Sequence, residues 1–328
     1  MSFFSIFLAL VIEQVRPMSG QHFLHDSLRQ WASWVARHVD AGQPTQGWLA
    51  WTVTVGVPAL LVLAMHWLLA LTLGWVFAVA WNVALLYTTL GFRQFSHHFT
   101  DIRDALEDGD ESLARELLAQ WQQVDASALP RSEIVRHVIE HSVIDAHRHV
   151  FGVFFWYAAL SVVGLGPVGA VVYRIAEFTS RFWAEDRGKR SEAPLFSDSL
   201  AQATATAWQW ADWLPARATA LGFAIVGSFE DAMDGWRHHS QKFPNDNDGV
   251  ILAATAGAIH IQLGGAALKS AAAADTEQDA EDALAGSGST PGRVPEVAHF
   301  AQVVGLVWRT VVMWLVLVAL LTLANVLG

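Results

Sequence analysis

The sequence predicts an all-α, polytopic membrane helix bundle, with short or re-entrant helices and amphipathic helices at the interface and on the cytoplasmic side. Three observations carry this expectation. Of 328 residues, 53% are hydrophobic and only 16% charged, and the mean hydropathy of +0.32 is too apolar for an ordinary soluble domain. Several apolar runs are long enough, at about 1.5 Å of helical rise per residue, to cross a bilayer. The chain also has 16 Trp, of which Trp48, Trp51, Trp67, Trp75, Trp81, Trp156, Trp308 and Trp314 lie in or beside apolar runs, where indoles occupy the headgroup region.

Taken in order, residues 1–12 are apolar, without a basic lead or a small-residue cleavage site, and Glu13 and Arg16 end the run. This predicts a retained short or re-entrant helix. Residues 19–47 are polar, with Trp31, Trp34 and His38 about one turn apart, as in an interfacial amphipathic helix, and Gly42-Gln43-Pro44 breaks it. In 48–91 the strongly polar side chains are His66 and Asn82; the stretch suffices for two spans turning at Gly74.

Residues 92–150 form the largest polar segment. Ile102, Leu106, Leu113, Leu117 and Leu118 give it an amphipathic helical pattern; it breaks at Ala128-Leu129-Pro130, and Ser132 is expected to cap the next helix. Residues 150–173 read as another span, carrying Gly164-Leu165-Gly166-Pro167-Val168-Gly169, which fits either a broken intramembrane helix or close helix packing.

Residues 174–214 are amphipathic, with the basic patch Arg187-Gly188-Lys189-Arg190, and 216–227 is too short to span alone. An Ala/Gly-rich helix is expected over 249–268, a mobile loop over 271–295, and the clearest transmembrane helix over 303–327, where Arg309 can snorkel. Four or five full spans result, within one membrane domain covering 1–328. Six Lys/Arg fall between Arg93 and Arg148 and five between Arg174 and Arg190, placing both flanks of one span on the cytoplasmic side. A re-entrant glycine segment resolves that conflict.

Composition also excludes functions. With no cysteine the chain has no disulfide, thiolate nucleophile or Cys-ligated metal. A formal charge of −11 and no aromatic-interleaved basic block exclude a nucleic-acid partner. No P-loop, kinase loop set or nucleophile elbow occurs.

Two stripes of side chains carry chemistry. His137, His141, Asp145 and His149 recur every four residues along one helix face, delivering titratable groups to the edge of an apolar run, where such groups are functional candidates. Arg93, His97, Asp101 and Asp104 form a second stripe. Together His97 (or His98), Asp101, His141, Asp145 and His149 make a candidate transition-metal set, while a solvated or hydrogen-bonding helix face is the alternative. If the stripes face each other, Arg93 or Arg136 can take a phosphate and Asp101 or Glu140 a divalent ion. Between Lys242 and Gly249, Asp248 is expected to cap the following helix rather than bind calcium.

Five blocks in order resemble the CobD/CbiB family of integral-membrane cobalamin-biosynthesis proteins and their shorter relative AmpE. They are Arg93 onward through Ala105-Leu106-Glu107-Asp108-Gly109-Asp110; the stretch from Glu133 to Trp156; Gly166-Pro167-Val168-Gly169-Ala170 with Tyr173-Arg174; Asp212-Trp213-Leu214-Pro215-Ala216-Arg217; and His239 onward through Pro244-Asn245 to Gln262-Leu263-Gly264-Gly265.

The resemblance implies a multi-pass protein of the bacterial inner membrane that joins adenosylcobyric acid to an aminopropanol phosphate, using ATP and Mg2+. It implies Glu140 and Asp212 as catalytic carboxylates, and Arg93, Tyr173, Arg174, Arg217 and Asn245 as phosphate- and substrate-binding groups; the stripe reading adds Asp145 as a candidate catalytic carboxylate and Arg136 as a candidate phosphate-binding group. Expected partners are membrane lipid and a corrinoid or other small molecule, and nothing opposes a homo-oligomer.

The chain departs from the family pattern in three places. Gln120-Trp121-Gln122-Gln123 replaces a Gly-Arg-Asp-Thr motif, Asp145-Ala146-His147-Arg148-His149 replaces Glu-Asn with Asp-Gly, and Glu177-Phe178-Thr179-Ser180 replaces Asn-Thr-Leu-Asp. These departures keep two other readings open: an AmpE-like signalling or sensing protein without catalysis, and a His/carboxylate metal-binding membrane protein.

Overall fold

The computed structural model describes residues 2–15, 21–189, 196–265 and 288–327; the side chains of 92–96 and of some helix ends are outside that description. Among the described residues the chain is all-helical, with an isolated bridge between Ile261 and Arg293 in place of any strand. The helices are α1 (Ser2–Val15), α2 (Gln21–Val39), α3 (Pro44–Thr72), α4 (Trp75–Thr89), α5 (Phe92–Glu107), α6 (Glu111–Gln122) and α7 (Arg131–Ala146). A π turn (His147–Phe151) follows, then α8 (Gly152–Val162), α9 (Val168–Lys189), α10 (Asp198–Val226), α11 (Phe229–His239), α12 (Asp246–Ile259) and α13 (Ala298–Leu327).

Two helices, α3 and α13, are long and apolar enough to cross a membrane. Only 17% and 33% of their most apolar windows are buried, so Leu60, Leu61, Leu68 and Leu71 of α3 and Val312, Val316, Leu320 and Leu321 of α13 face outward. Among the described residues these two helices pass that test of length and composition, against the four or five full spans expected. Glycine breaks divide the remaining apolar sequence into helices of 15 residues (α4) and 11 residues (α8), shorter than a bilayer requires.

The chain gathers into two compact units: unit 1 comprises Met1–Gly91, Arg148–Pro215 and Leu315–Gly328, and unit 2 comprises Phe92–His147 and Ala216–Trp314.

In unit 1, α3 packs on α2, α4 and α9, and α1 packs on α4 and α8. A buried cluster of Ala32, Val35, Ala36, Ala50, Phe178, Trp183, Phe196 and Leu200 joins α2, α3, α9 and the start of α10. The turn between α3 and α4 falls at Gly74, whose φ of 94° suits glycine. His66 of α3 and Asn82 of α4 bond to each other at 3.0 Å, so the two polar side chains of that apolar stretch satisfy one another.

Residues 150–173 do not form a single span. The chain reverses at residues 163–167, and α8 packs back along α9. A Cβ on Gly152 would strike the Tyr173 phenol and one on Gly169 the Trp156 carbonyl, so this helical hairpin closes only because both positions lack a side chain.

In unit 2, α5, α6 and α7 pack on one another, and α12 packs on α7 and α11. The Gly109-Asp110 turn ends α5 and starts α6; Gly109 has φ 81° and Asp110 accepts from the Leu113 amide at 3.0 Å. Three boundary expectations are corrected. Helix α7 begins at Arg131 with Pro130 in the capping position, so Ser132 lies inside the helix. Helix α12 begins at Asp246, and Asp248 accepts from the Asn245 side chain (2.9 Å) instead of capping. Residues 216–226 continue α10 through Pro215, because one missing backbone N–H does not end a 29-residue helix.

Candidate functional site

Unit 2 centres its polar chemistry on α7. Arg136 is 3% exposed and bridges to Glu133 (2.6 Å) and Glu140 (3.0 Å), helix neighbours three and four residues away. Burial opposes the charge on Arg136, but the carboxylates of Glu140 and Glu133 outweigh it and push the guanidinium above its ordinary value. Glu140 also accepts from the Gly264 amide at 2.7 Å, which ties α7 to a glycine turn whose Gly264 and Gly265 have φ of 79° and 123°.

Arg136 donates to Nε2 of His137 at 2.8 Å, so that nitrogen must be unprotonated. Burial, then the charges of Arg136 and His141, lower this imidazole to about 3. Elsewhere in the unit Arg217 donates to Asn247 (3.1 Å), buried His147 bonds Thr219 (2.9 Å), and Asn245 is exposed.

Among the described residues, the stripes of α5 and α7 are not gathered around a common point that could hold a metal ion. Trp121 of α6 stacks on His98 and meets His141 edge-on with ring centroids 4.5 Å apart, occupying the space between the helices. His97 and Asp101 are exposed, Asp104 bonds Arg103, and the side chain of Arg93 lies outside the described residues. His141 and Asp145 lie 3.5 Å apart, but the π turn after Ala146 shifts the helical register before His149. Among the described residues no three His, Asp or Glu side chains gather so as to hold a metal ion. The side chains of the basic patch at 187–190 and residues 271–287 of the expected loop also fall outside what is described.

Unit 1 holds a second buried constellation on α9. Tyr173 donates to Asp212 of α10 at 2.8 Å, and both are 0% exposed. Glu177, 1% exposed, bonds Arg174 at 3.2 Å and is also bridged by Arg181. Burial alone would raise its carboxyl, but Arg174, Arg181, His149 and Arg148 outweigh it and hold the group at about 2, so Glu177 is ionised at neutral pH. His149 is itself buried at 8% exposure.

Sequence reading named Tyr173, Arg174 and Asp212 but passed over Glu177, Arg181 and Glu133. A signal for them was present: Arg174, Glu177 and Arg181 stand at i, i+3 and i+7, and Glu133 and Arg136 at i and i+3, on single helix faces. The His147–Thr219 pair spans 72 residues and has no local signal.

Buried polar pairs in each unit, with two helices long and apolar enough to cross a membrane, define an all-helical protein among the described residues. The chain belongs to the CobD/Cbib protein family, whose model matches residues 8–285.

It is similar to the cobalamin biosynthesis protein CobD of Stutzerimonas stutzeri, at 30% identity over 277 residues covering 84% of this chain and 83% of that one. It is similar also to the CobD of Chromobacterium violaceum, at 33% over 185 residues covering 56% of this chain and 55% of that protein. A third relative, the CobD of Leptospira interrogans, is 29% identical over 208 residues. The chain therefore spans little more than half the length of the Chromobacterium violaceum relative. No solved structure matches it.

Proposed function

We propose that this chain acts in cobalamin biosynthesis, as the names of its relatives state for them, by forming the amide between adenosylcobyric acid and an aminopropanol phosphate. The observation that carries this reading is the family match over most of the chain, joined to a donor set suited to phosphate and carboxylate handling. Arg136, Arg174 and Arg217 supply guanidiniums, which match such oxyanions bidentately, and Glu140, Asp145 and Asp212 supply carboxylates.

ATP, when bound, supplies the phosphoryl group that activates the acid, and Mg2+ neutralises its phosphates. The residues present fit a Mg2+ carried in on nucleotide phosphates, which needs one or two carboxylates, and not a cage built by protein alone. Within unit 1, Asp212 is the carboxylate we assign to it. Tyr173 and Asp212 of unit 1 hold a proton between them at Tyr173 Oη, and Arg174 beside them orients an anionic group.

The full-length protein is incubated in neutral detergent with adenosylcobyric acid, aminopropanol phosphate, ATP and Mg2+. Phosphorylated cobinamide is the expected product by mass. No product beside an active family member overturns the ligase reading and favours a non-catalytic, AmpE-like role.

We also place the chain in the bacterial inner membrane as a multi-pass protein, supported by the outward apolar faces of α3 and α13. Because the sequence has no cysteine, single-cysteine labelling from either side maps its topology without background. Labelling of residues at both ends of α3 from the same side overturns that placement.

A further inference from the structure

Within unit 1 the α8–α9 hairpin is fixed along α3 at three levels. At its turn, a Cβ on Gly166 would lie 3.0 Å from the His66 ring and one on Gly164 3.9 Å from Trp67, so residues 163–167 sit against the C-terminal end of α3. Further along, Val171 and Ile175 of α9 share a buried cluster with Val55. Beyond them, Phe178 and Trp183 are buried with Ala50. The two helices therefore run antiparallel. Val168 to Trp183 rises about 22 Å and Ala50 to His66 about 24 Å, so the contacts stay level along both.

The two ends of this pair differ in chemistry. At the Gly47 end the α2–α3 loop is polar: Asp40 accepts from the Ser197 amide at 2.9 Å and its hydroxyl at 2.6 Å, and Ser199 donates to the Gly42 carbonyl at 2.9 Å. At the other end, residues 67–81 and 150–173 carry no charged side chain. Val162 and Val163 beside the hairpin turn are 65% and 66% exposed, and Leu71 and Trp75 flanking the α3–α4 turn are 78% and 62% exposed. They continue the outward leucine face of α3.

Spacing and backbone decide what covers this end. From Gly47 to Trp67 α3 rises about 30 Å, the thickness of a bilayer's hydrocarbon core. Residues 163–167 are not helical, and Val163 and Gly164 are exposed. An irregular turn that faces outward is tolerated among headgroups, where water reaches its backbone, and not in the hydrocarbon.

We propose that the turn at 163–167 seats in the headgroup layer on the side of the bilayer opposite the α2–α3 loop, with Val162 and Val163 against lipid beside Trp67. This rests on the membrane placement above and adds a depth and a side for the hairpin. A re-entrant segment ending near the midplane is excluded by it. Because α8 and α9 both lead away from the turn in one direction, the arrangement also accounts for the basic residues on both flanks of 150–173.

The chain has no cysteine, so Gln43→Cys, Leu73→Cys and Val163→Cys, all at exposed positions, each carry a single label. The full-length variants are treated with a membrane-impermeant maleimide in right-side-out and in inverted membrane vesicles. Val163→Cys is expected to react from the side that labels Leu73→Cys and to stay unlabelled from the side that labels Gln43→Cys. Val162→Cys repeats the measurement at a neighbouring exposed position. For depth, bimane on Val163→Cys is placed in nanodiscs of lipid brominated near the headgroup or near the chain end. Quenching by the shallow bromines and not by the deep ones is expected.

Reaction of Val162→Cys and Val163→Cys from the Gln43 side or from neither side, or quenching mainly by the deep bromines, overturns the proposal. Gln43→Cys and Leu73→Cys reacting from one side defeats the membrane placement itself, and the proposal with it. Where those two react from opposite sides and Val163→Cys follows Gln43→Cys, the hairpin proposal alone fails.

Discussion

The phenol of Tyr173 on α9 donates a 2.8 Å hydrogen bond to the carboxylate of Asp212 on α10, and neither side chain reaches solvent. A buried carboxylate keeps its charge only if donors replace the water it has lost. Tyr173→Phe should therefore lower stability by about 1–3 kcal/mol, the cost of a buried acceptor losing a partner. Combined with Asp212→Asn, it should show a coupling of at least about 0.5 kcal/mol in a double-mutant cycle. Strict additivity of the two changes in detergent unfolding would refute this link.

The α8–α9 hairpin depends on Gly152 and Gly169. Gly152→Ala places a methyl group against the Tyr173 ring, which is held by Asp212, so the helices must separate at a cost of about 1–3 kcal/mol. Gly56 on α3 has nothing within 4 Å of an added Cβ, and Gly56→Ala should be neutral or stabilising. Comparing the two melting temperatures checks the hairpin, and equal values would argue against it.

His137 gives the protein a defined pH response. Its folded-state value is about 3, against about 6.5 in an unfolded chain. Between these limits the unfolded state takes up a proton that the folded state does not, so stability is complete above about pH 6.5 and falls as pH drops toward 3. The slope from this group is at most about 1.4 kcal/mol per pH unit. His137→Gln should flatten the stability profile between pH 6.5 and 5. A variant slope equal to wild type over that range would exclude the assignment.

Arg136 is buried and its partner Glu140 half-buried, and removing one strands the other. Glu140→Gln removes one of the two carboxylates that Arg136 bridges and weakens the acceptor of the Gly264 amide. A loss of about 3–5 kcal/mol is expected for Arg136→Met, which leaves Glu140 without its cation, and less for Arg136→Met with Glu140→Leu, where no charge remains buried. Chemical denaturation of the single and double variants separates these cases. A double variant less stable than Arg136→Met would contradict the pairing.

Much of the helical outline was legible in the sequence, because the signals that set it are local. Gly42-Gln43-Pro44, Gly74, Gly109-Asp110 and Pro130 break or start helices through backbone geometry that acts within a turn, and each stands at a helix boundary. The apolar runs at α3 and α13 and the family blocks are likewise properties of the linear chain.

Packing decided the rest. Tyr173 meets Asp212 across 39 residues, His147 meets Thr219 across 72, and Glu140 meets Gly264 across 124, pairings that no periodicity encodes. The four-residue repeat of His137, His141, Asp145 and His149 pointed to a shared metal, but Trp121 fills the space beside His141, Arg136 takes the ring nitrogen of His137, and a π turn changes the register before His149. Residue type and spacing determined which groups exist and on which helix face. Only the folded packing determined which are buried together, because desolvation and ion pairing depend on neighbours brought from distant parts of the chain.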